Sequence, residues 1–430
     1  MQRLAVLPAE VLIGDPASEW MKLALPLVLQ EDLAVSRQIL PFFAKNGSAA
    51  YAGQASEVLR TTIELRDLKY HFQAVITDPQ TQKNLRVLRV EASSGAGIAL
   101  AGNLLAKQID VNARDFPTRV PQALMAFTLA AETQDLTRRM QLLHNAVSAD
   151  PAFGLAYIAL VETAAQAAPQ DLPAIVAAGT AHQKQFAPLE RARWSAFMAR
   201  YSHAPLRQQA DTVAAVLKIA PNNVDALGTL GVDRFLQGHS QDGEQLLRRA
   251  MLLNPANVNF PLQLANGLIE SRRFSDAIGI LKPLDNSVSA IPALAAATLL
   301  QGNTKEASAI FQNLINVLPA GAPSTNTLRS QWEAIAARSN PPALAPATPW
   351  TPGYQAFLNG RFEEAAQFWR NIVQQTGDTD LRARAMLAAS LNSAGHTAEA
   401  KAILVMPFVP DFNDANIAIA FNHMRQLLGL

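Results

Sequence analysis

Cysteine is absent from all 430 residues. That excludes disulfides, thiolate metal sites and a cysteine nucleophile, and it suits either side of a membrane. An excess of one charge is lacking too: 36 Lys and Arg face 35 Asp and Glu, for a formal net charge of +1, and like charges never form a long run. Neither a nucleic-acid footprint nor a polybasic membrane patch is expected. Long apolar runs are missing as well. The nearest, 287–303, is Ala-rich with Ser, Thr and Gln and reads as a buried helix, so no membrane insertion by this segment is expected. What is present is ample apolar material, 49% against 17% charged, enough to bury several cores with no sign of wholesale disorder.

Met1-Gln2-Arg3 leads straight into Leu4-Ala5-Val6-Leu7-Pro8 without a signal peptide's longer apolar region. A strand starting this early reads as a cut, and the expectation is a piece of a longer protein. Leu4 to Leu7 reads as a buried strand, Glu19 to Ala34 as an amphipathic helix and Ile39 to Ala44 as a second strand. Alternating segments at Arg60–Leu65 and Tyr70–Ile76 bend near Asp67, and a further strand covers Leu85–Glu91. A helix follows from Ser94 to Ile109. The pattern predicts a small α/β (α+β) domain over 1–112 with a mostly antiparallel meander.

From Pro121 the strand signal stops and a helix-pair pattern repeats. One unit runs Asn223 to Pro255 with Leu230-Gly231, Gly238, Gly243, Leu247 and Ala250; the next carries Leu264-Ala265, Phe274, Ala277 and Leu281. Others follow with Leu294-Ala295, Gly302, Ala307 and Phe311; with Gly353, Gly360, Phe362, Ala365 and Trp369; and with Leu387-Ala388, Gly395, Ala400 and Leu404. Small residues fall where paired helices approach closely, and Gly238, Gly302, Gly360 and Gly395 fall where a turn wants positive φ. Residues 120–222 fit as degenerate helix pairs, 223–319 as regular ones, 320–352 as a helix plus a Pro-rich linker, and 353–430 as further pairs with a terminal capping helix at 413–429.

These residues resemble the tetratricopeptide repeat. The opening Leu4–Pro8 run, the Gly14-Asp15-Pro16 turn, the helix around Leu23–Leu33 and the hairpin Leu59–Ile76 with its Asp78…Thr81 turn resemble the TolB amino-terminal-like module, apart from Ala9-Glu10 where an aromatic residue is usual. The expected fold is mainly α: an α-α superhelix of tetratricopeptide-like helix pairs preceded by the small α/β domain. The resemblance implies the context of bacterial signalling proteins, in which such segments sit behind a kinase, cyclase or DNA-binding output domain.

Searching for chemistry yields imitations. Ser94-Gly95-Ala96-Gly97 sits where a dinucleotide loop would, but the third glycine position holds Leu100. Gly238-His239-Ser240-Gln241-Asp242-Gly243 mimics a nucleophile elbow, with its last glycine one residue late. The seven histidines show no ligand spacing, and the acidic pairs Glu31-Asp32 and Glu363-Glu364 read as solvated helix faces. No catalytic residue, metal or cofactor is expected.

What remains is surface. In stacked helix pairs the first helices line one wall, and the repeat register places Gln263, Asn266, Trp350, Tyr354, Arg382 and Asn392 on it. The expected function is a non-catalytic protein- or peptide-binding scaffold or sensor segment, with homo-oligomers or self-occupation of the groove left open. A small-molecule sensor with a pocket between the α/β domain and the first helices is the alternative, and an enzyme of unrecognised type is the next.

Overall fold

The computed structural model describes residues 1–93, 97–202, 204–285, 287, 289–317, 351–358, 360–376 and 381–405. The expected helix near 327–338, the Pro-rich linker and the capping helix at 413–429 lie outside them. The chain folds as two compact units, residues 1–202 with 211–226, and 203–210 with 227 onward.

The first unit opens with the α/β module: β1 (Gln2–Val6), β2 (Glu10–Val11), α1 (Met21–Leu33), β3 (Ile39–Phe43), α2 (Gly47–Ala52), β4 (Glu57–Arg66), β5 (Lys69–Thr77), β6 (Asn84–Ser93) and α3 (Gly97–Ile109). Strand order is β3-β1-β4-β5-β6, with β2 also on β4. The meander β4-β5-β6 is antiparallel as expected, but β1 runs parallel to both β3 and β4. The sheet is therefore mixed: α1 carries the chain from β1 back to β3 in the same direction, as a parallel pair requires. Leu4, Ala5 and Val6 are buried at both faces of the sheet, the reason for their unbroken apolar run. Asp67 and Leu68 both take positive φ (49° and 58°) in a two-residue β4–β5 turn. Pro26 lies inside α1 and lacks the N–H that would engage Lys22. The freed Lys22 carbonyl accepts from Ala9 N at 2.8 Å, tying helix to sheet.

Three helix pairs follow: α4 (Pro121–Glu132) and α5 (Leu136–Ala149), α6 (Gly154–Ala167) and α7 (Leu172–His182), α8 (Pro188–Tyr201) and α9 (Leu206–Ile219). One apolar core runs from Leu4 in β1 through Val28, Leu105 and Leu124 to Trp194 in α8. The weak repeat signature here has a packing cause. Trp194 is fully buried, and a Cβ on Gly179 of α7 would sit 2.4 Å from its ring. The small residue is thus in the second helix of one pair and the bulk in the first helix of the next, a contact between pairs that no spacing within one unit reports.

The second unit contains α10 (Val224–Leu236) from Leu227 onward, α11 (Ser240–Leu253), α12 (Asn259–Glu270), α13 (Phe274–Leu281), α14 (Ile291–Leu300), α15 (Thr304–Val317), α16 (Thr351–Leu358), α17 (Phe362–Thr376), α18 (Leu381–Ser393) and α19 (Thr397–Val405). Close approach is explicit at the α10–α11 crossing: a Cβ on Gly243 would lie 2.8 Å from the Gly231 carbonyl oxygen. The turns are built alike. Gly238, Gly302, Gly360 and Gly395 take φ of 81°, 101°, 75° and 93° as the sequence predicts. The residue after each donates its N–H back into the preceding helix, as His239 N does to Arg234 O at 2.8 Å.

Arg272 occupies the same turn position after α12 at φ 59°, with Arg273 N on Leu268 O at 2.8 Å. An L-residue there is strained by about 1 kcal/mol. Arg272→Gly is expected to stabilise this unit by about 0.5–1 kcal/mol, the relief being partly offset by glycine's unfolded-state entropy. Urea unfolding of wild type and variant measures it; a lower midpoint for the variant would show that the arginine side chain contributes more than its backbone costs. The fold class is mainly α, tetratricopeptide-like helix pairs behind a small α/β module.

Candidate binding surface

Within the first unit α6 packs on α8 and within the second α12 packs on α14, first helix on first helix, so in each unit these helices share an inner face. Within the first unit that face is already occupied. Helix α1 packs on α4. The loop after α1 is held by Asn222, just ahead of α10, whose amide Nδ2 donates to the Ser36 carbonyl at 2.9 Å and to that of Arg37 at 3.4 Å. Ser36 also donates its hydroxyl to Asp110 at 2.5 Å, which holds that carboxyl below its usual pKa.

A buried ionic network fixes the same junction. Arg114, in the link between α3 and α4, meets Glu190 of α8 at 2.6 Å and Glu31 of α1 at 2.8 Å, and its Nε donates to the Glu31 carbonyl at 2.9 Å. Arg193, one turn beyond Glu190, reaches Glu31 at 3.1 Å. Burial works against the charge on Arg114, but the carboxylates of Glu190 and Glu31 outweigh it and raise its pKa. Two glutamates and two arginines balance.

Asp32, beside them, would add an uncompensated charge. It is fully buried, and neither carboxylate oxygen has a hydrogen-bond partner. Burial pushes its carboxyl up to about 9, only partly offset by Arg114, so it carries a proton at neutral pH. The expectation of a solvated face at Glu31-Asp32 is therefore corrected. The signal in the sequence was position: both acids fall in the last turn of an otherwise apolar helix, where the negative end of the dipole disfavours them unless a cation is supplied. The other pair does lie exposed, Glu363 against His396 at 2.8 Å and Glu364 against Arg361 at 2.8 Å. Perturbed ionisable groups often mark active sites. Here Asp32 is sealed in a core that no substrate reaches.

The residues projected onto the inner face of the second unit fare differently. Gln263 and Asn266 come together on one side of α12, a turn apart. Asn266 is fully buried, not open to solvent, and neither its amide nitrogen nor its oxygen has a partner; Gln263 Oε1 is likewise buried and unpaired. Asn392 is half-buried near the end of α18 and accepts from Thr397 Oγ1 at 3.0 Å, so its oxygen serves the turn into α19. Tyr354 lies in α16 and Arg382 in α18, but their side chains, and Trp350 altogether, lie outside the described residues. The elbow-like Gly238–Gly243 segment is the turn between α10 and α11. Among the described residues no three His, Asp or Glu side chains gather as a metal site, and no helix is long and apolar enough to cross a membrane.

No family profile matches the sequence, and no curated protein matches it. Among solved structures, the tetratricopeptide-repeat domain of P58(IPK) is similar at 12% identity, covering 73% of this chain and 99% of its own, with a TM-score of 0.22. Human IFIT1, as a dimer with PPP-AAAA, is similar at 13% identity, covering 71% of this chain and 67% of its own, with a TM-score of 0.25. The fold assignment rests on the helix pairs of this chain itself.

Proposed function

We propose that this chain is a non-catalytic scaffold that holds a protein segment on the inner face of its later helix pairs, and that it works within a larger bacterial signalling protein whose TolB-like module forms the amino-terminal end of the array. One observation carries this reading. Within the first unit a side-chain amide holds a polypeptide loop, Asn222 ahead of α10 donating to two successive backbone carbonyls. On α12 Gln263 is partly exposed, and only its Oε1 is sealed, which leaves its amide nitrogen toward the face where a partner's backbone carbonyl would be met. Asn266 stands beside it but is sealed, and Trp350, Tyr354, Arg382 and Asn392 are the remaining candidates by repeat register.

A photo-crosslinking residue placed at Gln263 is expected to capture one defined partner segment, and the same residue at Arg249 of α11, a second helix, is not. Gln263→Ala is expected to weaken binding of the segment so identified at least about tenfold while leaving the urea midpoint within about 0.5 kcal/mol of wild type, as for a half-exposed side chain. Equal capture at both positions, or binding untouched in the alanine variant, would refute the proposal.

A further inference from the structure

A cavity of about 140 Å³ opens in the first unit where the module meets α4. Its walls come from separate elements: Trp20 and Met21 at the start of α1, Tyr70 on β5, Ile98 and Ala99 in the first turn of α3, and Leu124 of α4. Most of this surface is aromatic or aliphatic. The volume is close to that of the roughly 150 Å³ cavity known to take benzene, so it accommodates about one six-membered ring. Positive potential enters from two directions. Helix α3 begins at the wall with Gly97, presenting the positive end of its dipole. Arg119 lies at the rim with its side chain largely in solvent, held by Asp115 at 3.2 Å.

We propose that this cavity is a binding site for a small single-ring aromatic acid, the ring against Trp20, Tyr70 and Leu124 and the carboxylate toward Arg119 and the start of α3. An apolar body with one anionic end is what these walls complement: the ring displaces weakly held water, and the charge meets a cation without entering the core. A neutral ring loses the second contribution and a short aliphatic acid the first. The proposal is independent of the inner-face reading, because no residue is shared between the two surfaces.

The test is titration of the full chain with benzoate, benzyl alcohol and acetate, followed by tryptophan emission and calorimetry, with Trp20→Phe identifying the share of the signal that comes from the cavity wall. Saturable binding of benzoate is expected, at least about tenfold tighter than benzyl alcohol or acetate, and weakened about tenfold by Arg119→Gln. Ala99→Leu, which fills the space, is expected to abolish it; if that variant unfolds, a second filling variant, Val120→Phe, replaces it, since Val120 also lines the cavity. Benzyl alcohol binding as tightly as benzoate would overturn the assignment to an acid. Benzoate binding that survives a filled cavity, or no benzoate binding at millimolar concentration, would overturn the site.

Discussion

Replacing Arg114 by methionine is expected to destabilise the first unit by about 3–5 kcal/mol, because it strands Glu190 without its cation in a place water does not reach. Glu190 is fully buried, one carboxylate oxygen already lacks a partner, and among the described residues Arg114 alone forms an ion pair with the other. The loss should fall where the network joins elements. Amide hydrogen exchange is the fitting measurement, since a protein of two units need not unfold in one step. Protection should drop in α1 and α8 and persist in α17 and α18. Adding Glu190→Gln to the variant should return a large part of the loss, because the uncompensated charge goes with it. A single variant within about 1 kcal/mol of wild type would mean that Glu190 finds water, and the network would then contribute little.

The second large effect concerns pH. Asp32 has a folded-state pKa of about 9, against an ordinary carboxyl value of 3.8. Between those limits the folded protein keeps a proton that the unfolded chain releases, so stability falls as pH rises through that window, by up to about 1.4 kcal/mol per pH unit from this group. Asp32→Asn keeps the neutral shape and removes the titration. The variant is expected to be the more stable at neutral pH, and its advantage should widen steadily from pH 5 to pH 8. Urea midpoints of both proteins across that range give the result. Parallel curves would show that Asp32 ionises in the fold, with the Arg114 guanidinium as its counter-charge.

These two residues also mark the limit of what the chain discloses in one dimension. The later helix pairs were legible because their constraints are local: a turn that needs positive φ asks for glycine, and four of the five turns have one. The exception, Arg272, hides nothing because its neighbours keep the spacing. Trp194 was opaque because its small counterpart, Gly179, sits in the preceding helix. Short α2 was missed, its only cue being the Asn46 side chain that accepts from Ala49 N. The parallel pairing of β1 could not be read from periodicity, which gives a strand's faces but not its direction.

The candidate surface was legible only in part. Repeat register brought Gln263 and Asn266 to one side of α12, but register cannot report that an amide is buried. Glu31 and Asp32 were visible as a pair, whereas the cations that Glu31 meets stand at Arg114 and Arg193, far along the chain. Nothing short-range links residues so distant in sequence.

The Asn222 contact has a consequence for synthesis. A ribosome adding about 5–20 residues per second delivers the whole sheet and α1 well before it delivers Arg193 or Asn222. For that interval Glu31 lacks its second cation, and the loop at Ser36 and Arg37 lacks the amide that later holds it. The module is thus a nascent chain waiting for its own downstream sequence, open to holding chaperones and proteases until then. A gene fragment ending at 112 would make that waiting state permanent; the shortest fragment that ends it reaches past Asn222.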